Sequence, residues 1–158
     1  MTHPPLCYDV TMTTYVDNKK VHFNYEVLDK FEAGIELAGF EVKSIKKNQG
    51  SLEGSYIIFR GKEAFLVNCL IPPYQEKNTP KGYEPRRNRK LIMTKKEIAK
   101  LTDIENEGLT IVPLSLYNKG TLIKVSLAVV RGKKKFDKRE TIKKRETDRS
   151  IRREFVDR

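Results

Sequence analysis

The chain has 158 residues and a formal net charge of +11, the length of one domain of ordinary size plus an appendage. No apolar run approaches the roughly 20 residues that span a bilayer. The opening MTHPPLCYDV has neither the basic nor the apolar region of a secretory signal, so a soluble, cytoplasmic protein without membrane attachment is expected.

Residues 1–17 show no clear pattern and are expected to form a disordered leader. Val21, Phe23, Tyr25 and Val27 then alternate with polar residues, which predicts a half-buried strand. Residues 31–37 alternate in the same way, and Gly34 among them suggests a bulge or a close backbone approach. From Phe40 the spacing turns helical, predicting a short helix packed by Val42 and Ile45 with Lys43, Lys46 and Lys47 on its open side. A hairpin follows, SYIIF and AFLVNCLI around a Gly61-bearing connection, and Pro72 with Pro73 ends its second strand. Residues 74–90 read as a long polar loop that ends in Arg86, Arg87, Arg89 and Lys90.

Thr94 and Glu97 have the spacing of a capping box, opening a helix that packs through Ile98 and Leu101 and stops by Gly108. Two last strands, LTIVPLSLY and TLIKVSLAVV, flank a turn at Asn118, Lys119 and Gly120. About six short strands with about three helices predict a mainly β fold, an antiparallel sheet closing into a small oligonucleotide-binding-like barrel over residues 18–130. Residues 131–158 hold 13 Lys and Arg against 6 Asp and Glu. Their few apolar residues cannot bury a face, so this tail is expected to stay disordered until an anionic partner orders it.

No catalytic constellation is present: there is no phosphate-binding loop, dinucleotide fingerprint, zinc spacing or nucleophile elbow. His3 and His22 have no evident partner for base catalysis. Glu32, Glu36 and Glu41 read as solvated charge among many lysines. Cys7 and Cys69 read as reduced thiols. No enzyme activity, catalytic residue, cofactor or metal is expected. Charge concentrated at one end points instead to nucleic acid, with Phe23, Tyr25, Phe31, Phe40, Tyr74 and Tyr83 as candidate stacking rings. For Tyr25 and Phe31 the competing reading is core packing. Lys43, Lys46 and Lys47 beside Arg86, Arg87, Arg89 and Lys90 would track phosphates.

Four segments, FEAGIELAGFEVKSIK, GYEPRRNRKL, PLSLYNKG and RGKKKFDKRETIKKR, resemble in order and spacing the SsrA-binding protein family, or small protein B. The resemblance runs from about residue 18 to about residue 149. It implies an oligonucleotide-binding-like barrel that performs no chemistry itself. Its implied role is ribosome rescue by trans-translation, through binding of the tRNA-like domain of transfer-messenger RNA (tmRNA, SsrA). The implied partners are that RNA, the ribosome at its decoding centre and mRNA channel (16S rRNA), and indirectly elongation factor Tu and alanyl-tRNA synthetase; a monomer suffices.

By the same resemblance Asn18, Glu32, Arg89, Lys90 and Ile92 fall on RNA-binding positions, and the basic surface adds Lys43 and Arg87. Glu32 has a competing reading, an internal pair with a lysine at the barrel edge. In the tail, Gly132, Lys133, Lys134, Asp137, Lys138 and Arg139 match positions linked to tagging on the ribosome. Gly132 would be the swivel, and Phe136 would stack on an rRNA base. The chain departs from the family in having Phe23 where histidine is usual and Thr94 where Asn or His is common. The rival reading is a general ribosomal or RNA-binding barrel without tmRNA specificity.

Overall fold

The computed structural model describes residues 12–156. Cys7, His3 and most of the expected leader lie outside that range. The elements are β1 (Thr14–Asp17), α1 (Lys19–Asn24), β2 (Tyr25–Ile35), α2 (Gly39–Lys46), β3 (Tyr56–Arg60), β4 (Glu63–Val67), β5 (Arg89–Ile92), α3 (Lys95–Asn106), β6 (Thr110–Lys119), β7 (Leu122–Gly132) and α4 (Lys135–Val156). One seven-stranded antiparallel sheet runs β1-β6-β7-β2-β5-β4-β3, and its curl brings β3 back against β6. The fold is therefore mainly β, with four helices set around the sheet.

The long strands β2, β6 and β7 form the centre, and alternation along them supplies two apolar clusters. Leu116, Val125, Leu127 and Val129 face the main core with Ile45, Leu52, Leu66, Cys69, Leu91 and Leu101. Val112, Leu114, Ala128 and Val130 face the other side and close over Val21 of α1. Burial of each Val, Leu or Ile side chain among them stabilises the fold by about 1.5–3 kcal/mol. Pro113 sits where the β6–β7 register shifts, the kind of irregularity that tolerates a residue with no N–H to give the ladder. Burial also pushes the Cys69 thiol up to about 11, which keeps it protonated and unreactive.

Several expectations hold in detail. The helix at 39–46 forms with Ile45 fully buried. Thr94 Oγ1 accepts from Glu97 N, and the Glu97 carboxylate accepts from Thr94 N at 2.9 Å, the reciprocal cap. Gly34 is indeed a close approach: a Cβ there would lie 3.2 Å from Ile92 Cβ on the neighbouring strand. The bulge on β2 lies elsewhere, between Val27 and Asp29.

Three expectations need correction. Residues 14–17 are not leader but strand β1, paired with β6 and held by the burial of Val16. The strand expected from Val21 begins only at Tyr25; residues 19–24 form α1, whose single buried side chain is Val21. The alternation there spans two elements, one turn of helix and the start of a strand. Arg89 and Lys90, expected as the end of a loop, open the strand β5 that joins β2 to β4. Residues Lys135–Val156 of the tail form the helix α4. Its sequence places Glu140 four residues before Lys144 and Asp148 four before Arg152, the spacing that favours a helix through its own charges.

Candidate nucleic-acid interface

Glu41, on the inner side of α2, is the centre of a buried polar cluster rather than the solvated charge expected from its neighbours. Its Oε1 accepts from Arg89 Nε at 3.0 Å and Nη2 at 2.8 Å, from Arg87 Nε at 3.0 Å and from the Tyr83 hydroxyl at 2.9 Å. Its Oε2 accepts from Arg87 Nη2 at 2.6 Å and from Ala38 N at 2.8 Å. Burial alone would raise the Glu41 pKa; hydrogen bonds from Arg87 and Ala38 and the charge of Arg89 outweigh it and hold the carboxyl at about 2. Arg89 spends its remaining donors on the carbonyls of Cys69, Pro85 and Arg87 and on the Tyr83 oxygen.

Arg89 is completely buried, so in this structure it cannot meet a phosphate directly, and the expected contact becomes a structural one. Arg87 is half-buried with its guanidinium on Glu41, which raises its pKa further. Together the two arginines tie the 83–89 segment to α2. Arg86 remains exposed and donates to Asn68 Oδ1 at 2.8 Å. Lys90 is exposed and pairs with Glu63. Lys43 is exposed on the outer side of α2.

Glu32 occupies the outer face of β2. It accepts from Lys124 Nζ at 2.7 Å, Lys119 Nζ at 3.0 Å and the Tyr117 hydroxyl. The bond from Lys124, then those from Tyr117 and Lys119, hold its carboxyl at about 2. Burial, then the bond to Glu32, raises the Tyr117 pKa. The internal lysine pairing is therefore present, and it arranges two ammonium groups around one carboxylate on the same surface where Ile92 stands exposed over Gly34.

Asn18 is buried and its Nδ2 donates to the carbonyls of Leu52 at 3.0 Å and Pro113 at 3.2 Å. It pins the start of α1 to the sheet, with its own N–H on Leu114 O at 2.7 Å. Among the candidate rings, Tyr25 packs on the second core cluster and Phe31 on the main one, with Lys100 Nζ 4.9 Å above the Phe31 ring. Tyr83 meets Phe40 edge to face at 4.7 Å. Phe23 lies 5.5 Å below the Arg145 guanidinium. Tyr74 is exposed.

At the other end of the molecule Gly132 closes β7 opposite Tyr25. A Cβ on Gly132 would meet nothing within 4 Å, so this conformation makes no demand for glycine. Lys133 N donates to Asn24 O at 3.0 Å and its Nζ to His22 O at 2.9 Å, and Lys134 is exposed. In α4 Lys138 is half-buried and Arg139 exposed. The Phe136 and Asp137 side chains lie outside the described residues. Among the described residues no three His, Cys, Asp or Glu side chains converge as a metal ion would require. None of the helices described is long and apolar enough to cross a membrane.

A family model described as SmpB protein matches residues 15–157. The chain belongs to the SmpB family. The SsrA-binding protein of Mesoplasma florum is 50% identical over 139 residues, 87% of this chain and 93% of the relative. That of Malacoplasma penetrans is 49% identical over 142 residues, 89% of this chain and 97% of the relative. A solved structure described as "tmRNA-SmpB: a journey to the center of the bacterial ribosome" contains a chain similar to this one, with a TM-score of 0.63 and 40% identity. That match covers 75% of this chain and 84% of the other.

In this SmpB-family chain the residues that sequence reasoning missed are Glu41, Tyr117, Lys119 and Lys124. Glu41 had one usable signal, its place four residues before the buried Ile45, on the inner face of a helix whose lysines face out. Lys119 and Lys124 lie on either side of the β6–β7 turn, a pairing that puts them on one surface only once the β2–β7 register is known.

Proposed function

We propose that this chain binds transfer-messenger RNA (SsrA) and brings it to stalled ribosomes for trans-translation. The relatives named SsrA-binding proteins, alike over almost their whole lengths, support the reading, as does the likeness to a chain from a tmRNA–SmpB structure. The observation in the molecule that carries it is α4, 22 residues long and charged around its circumference. Such a helix has no apolar stripe with which to join the core, and a polyanion is the complement to its charge.

In this reading the sheet surface with Lys90, Ile92, Lys119 and Lys124, together with Lys43 of α2, meets the tRNA-like part of the RNA. Glu32 orients its two lysines there, while Asn18, Arg87 and Arg89 fix the backbone beneath. Gly132, Lys133, Lys134, Phe136, Asp137, Lys138, Arg139 and the rest of α4 meet 16S rRNA along an mRNA channel that is empty. Occupancy of the channel is then the signal, because mRNA and α4 compete for one space. The protein acts as a monomer in the cytoplasm and performs no chemistry. Alanylation by alanyl-tRNA synthetase and delivery by elongation factor Tu act on the RNA it holds.

The deciding experiment is equilibrium binding of the full chain to tmRNA at physiological salt against excess elongator tRNA. Binding that survives the competitor is expected. Equal competition would leave a general RNA-binding barrel.

A further inference from the structure

We propose that the cleft between the first turn of α2 and residues 74–78 holds one unpaired nucleobase of the bound RNA, stacked on Tyr74 with Lys43 beside its phosphate. This rests on the RNA-binding reading above and adds to it a base contact. The cleft measures about 310 Å³ and is lined by Gly39, Phe40, Lys43, Tyr74, Gln75 and Asn78, a size at the lower end of small-ligand sites.

Of the six aromatic residues that the sequence offers as stacking platforms, four are committed. Tyr25 and Phe31 pack on the core, Phe23 lies under Arg145, and the single Tyr83 hydroxyl proton is shared between Glu41 Oε1 at 2.9 Å and Ile71 O at 2.8 Å. Phe40 and Tyr74 remain, and they share this cleft. Phe40 is held in place by the edge contact with Tyr83, which the buried Glu41 and Arg89 anchor in turn. One wall is thus fixed before any ligand arrives, which spares the cost of ordering it on binding.

The opposite wall is also stiff. Residues 76–78 form a single turn of 3-10 helix in which Asn78 N donates to Gln75 O at 3.2 Å and Thr79 Oγ1 to the same carbonyl at 2.6 Å. Pro73 precedes the segment and Pro80 follows it. Tyr74, more than a third exposed, has no hydrogen-bond or ring partner among the described residues, and Lys43 has no acidic partner among them. Asn78 Nδ2 donates to Gln75 Oε1 at 2.8 Å, which leaves Asn78 Oδ1 as an acceptor and Gln75 Nε2 as a donor.

An exposed ring, a neighbouring free cation, and one amide donor with one amide acceptor are what an unpaired RNA base needs. Its face stacks, its edge pairs with the amides, and its phosphate meets the lysine. Every base has a face and an edge carrying donors and acceptors, so the site selects for an unpaired base rather than for a particular one.

The test is binding of full-length tmRNA by the full chain across a salt series, together with dimethyl sulfate and carbodiimide footprinting, which between them read all four bases, for the native protein, Tyr74→Ala, Tyr74→Phe and Lys43→Ala. Tyr74→Ala should weaken binding roughly 5- to 150-fold with an unchanged salt slope, because a stacked ring displaces no counterion. It should also expose one unpaired base that the native protein protects. Tyr74→Phe should keep both affinity and protection, and Lys43→Ala should lower the salt slope by about 0.7 to 0.9.

Native affinity and footprint in Tyr74→Ala would overturn the base site while leaving tmRNA binding intact. So would a loss of affinity that only follows a lower melting temperature, since it would assign Tyr74 a structural role. If the native protein itself does not prefer tmRNA, the reading beneath the inference fails instead.

Discussion

Glu41 Oε1 and Arg89 Nη2 lie 2.8 Å apart, and neither side chain has any exposed surface. A pair so placed must be complete, because a lone charge in that position has no water to turn to. Arg89→Ala should therefore destabilise the protein by about 3–5 kcal/mol, read from urea unfolding. Arg87→Ala should cost less, since its side chain is 36% exposed and Arg89 stays on the carboxylate. An Arg89→Ala chain with native stability would show that the pair does not hold α2 to the 83–89 segment.

The same carboxylate sets an acid limit. The Glu41 pKa is about 2 in the folded protein against an ordinary 4.5, and Glu32 is lowered likewise to about 2. A group whose folded pKa is depressed contributes stability that is present above its unfolded pKa and is lost as pH falls through the folded one. Stability should thus decline between about pH 4.5 and pH 2. Urea midpoints measured across that window should fall steeply for the native chain and less steeply for Glu41→Gln, which keeps the Glu32 titration but lacks that of Glu41. Added salt should shrink the Glu32 share more than the Glu41 share, because Glu32 is partly in water. Parallel curves for the native chain and Glu41→Gln would refute this.

Gly34 gives a sharper local test. Its backbone lies in strand β2 without a positive φ, so an alanine there would ordinarily favour the strand. Here the added Cβ would come within 3.2 Å of Ile92 Cβ on the adjoining strand, closer than ordinary packing, so β5 must shift by a few tenths of an ångström to admit it. Gly34→Ala should cost on the order of 1–3 kcal/mol and shift Ile92 on the surface assigned to RNA. A stabilised Gly34→Ala, measured by thermal unfolding, would mean that β5 moves freely against β2.

Elements that depend on nearby residues were legible in the sequence. The Thr94–Glu97 cap, the β3–β4 hairpin with Gly61 at φ +62 and the turn with Gly120 at φ +65 are each encoded within a few residues. Elements decided by distant partners were not. Strand β1 exists because β6 offers it an edge, and α1 because Asn18 is pinned from two remote carbonyls. The site divides in the same way. Lys43, Lys90 and Ile92 are exposed, whereas the run around Arg87 and Arg89 reads as a phosphate-tracking loop until Glu41 is seen under it. A charge run cannot declare whether its counterion is solvent, nucleic acid or a carboxylate 48 residues earlier.

The tail can be separated from the sheet only at the right place. Arg131 and Gly132 still pair with Glu26 and Tyr25 in the β2–β7 ladder, and Lys133 ties the strand's end to α1 through the carbonyls of Asn24 and His22. A chain cut after Val130 loses all of these, and should show a lower urea midpoint and a frayed α1. A chain cut after Lys134 keeps them and loses only α4. The second truncation should bind tmRNA with near-native affinity, melt at the native temperature and fail to support peptide tagging on stalled ribosomes. Normal tagging by the chain cut after Lys134 would remove α4 from the proposed mechanism. Failure of RNA binding in that same chain would place part of the RNA contact on the helix instead, with Arg145 and its neighbours acting on tmRNA rather than on the ribosome.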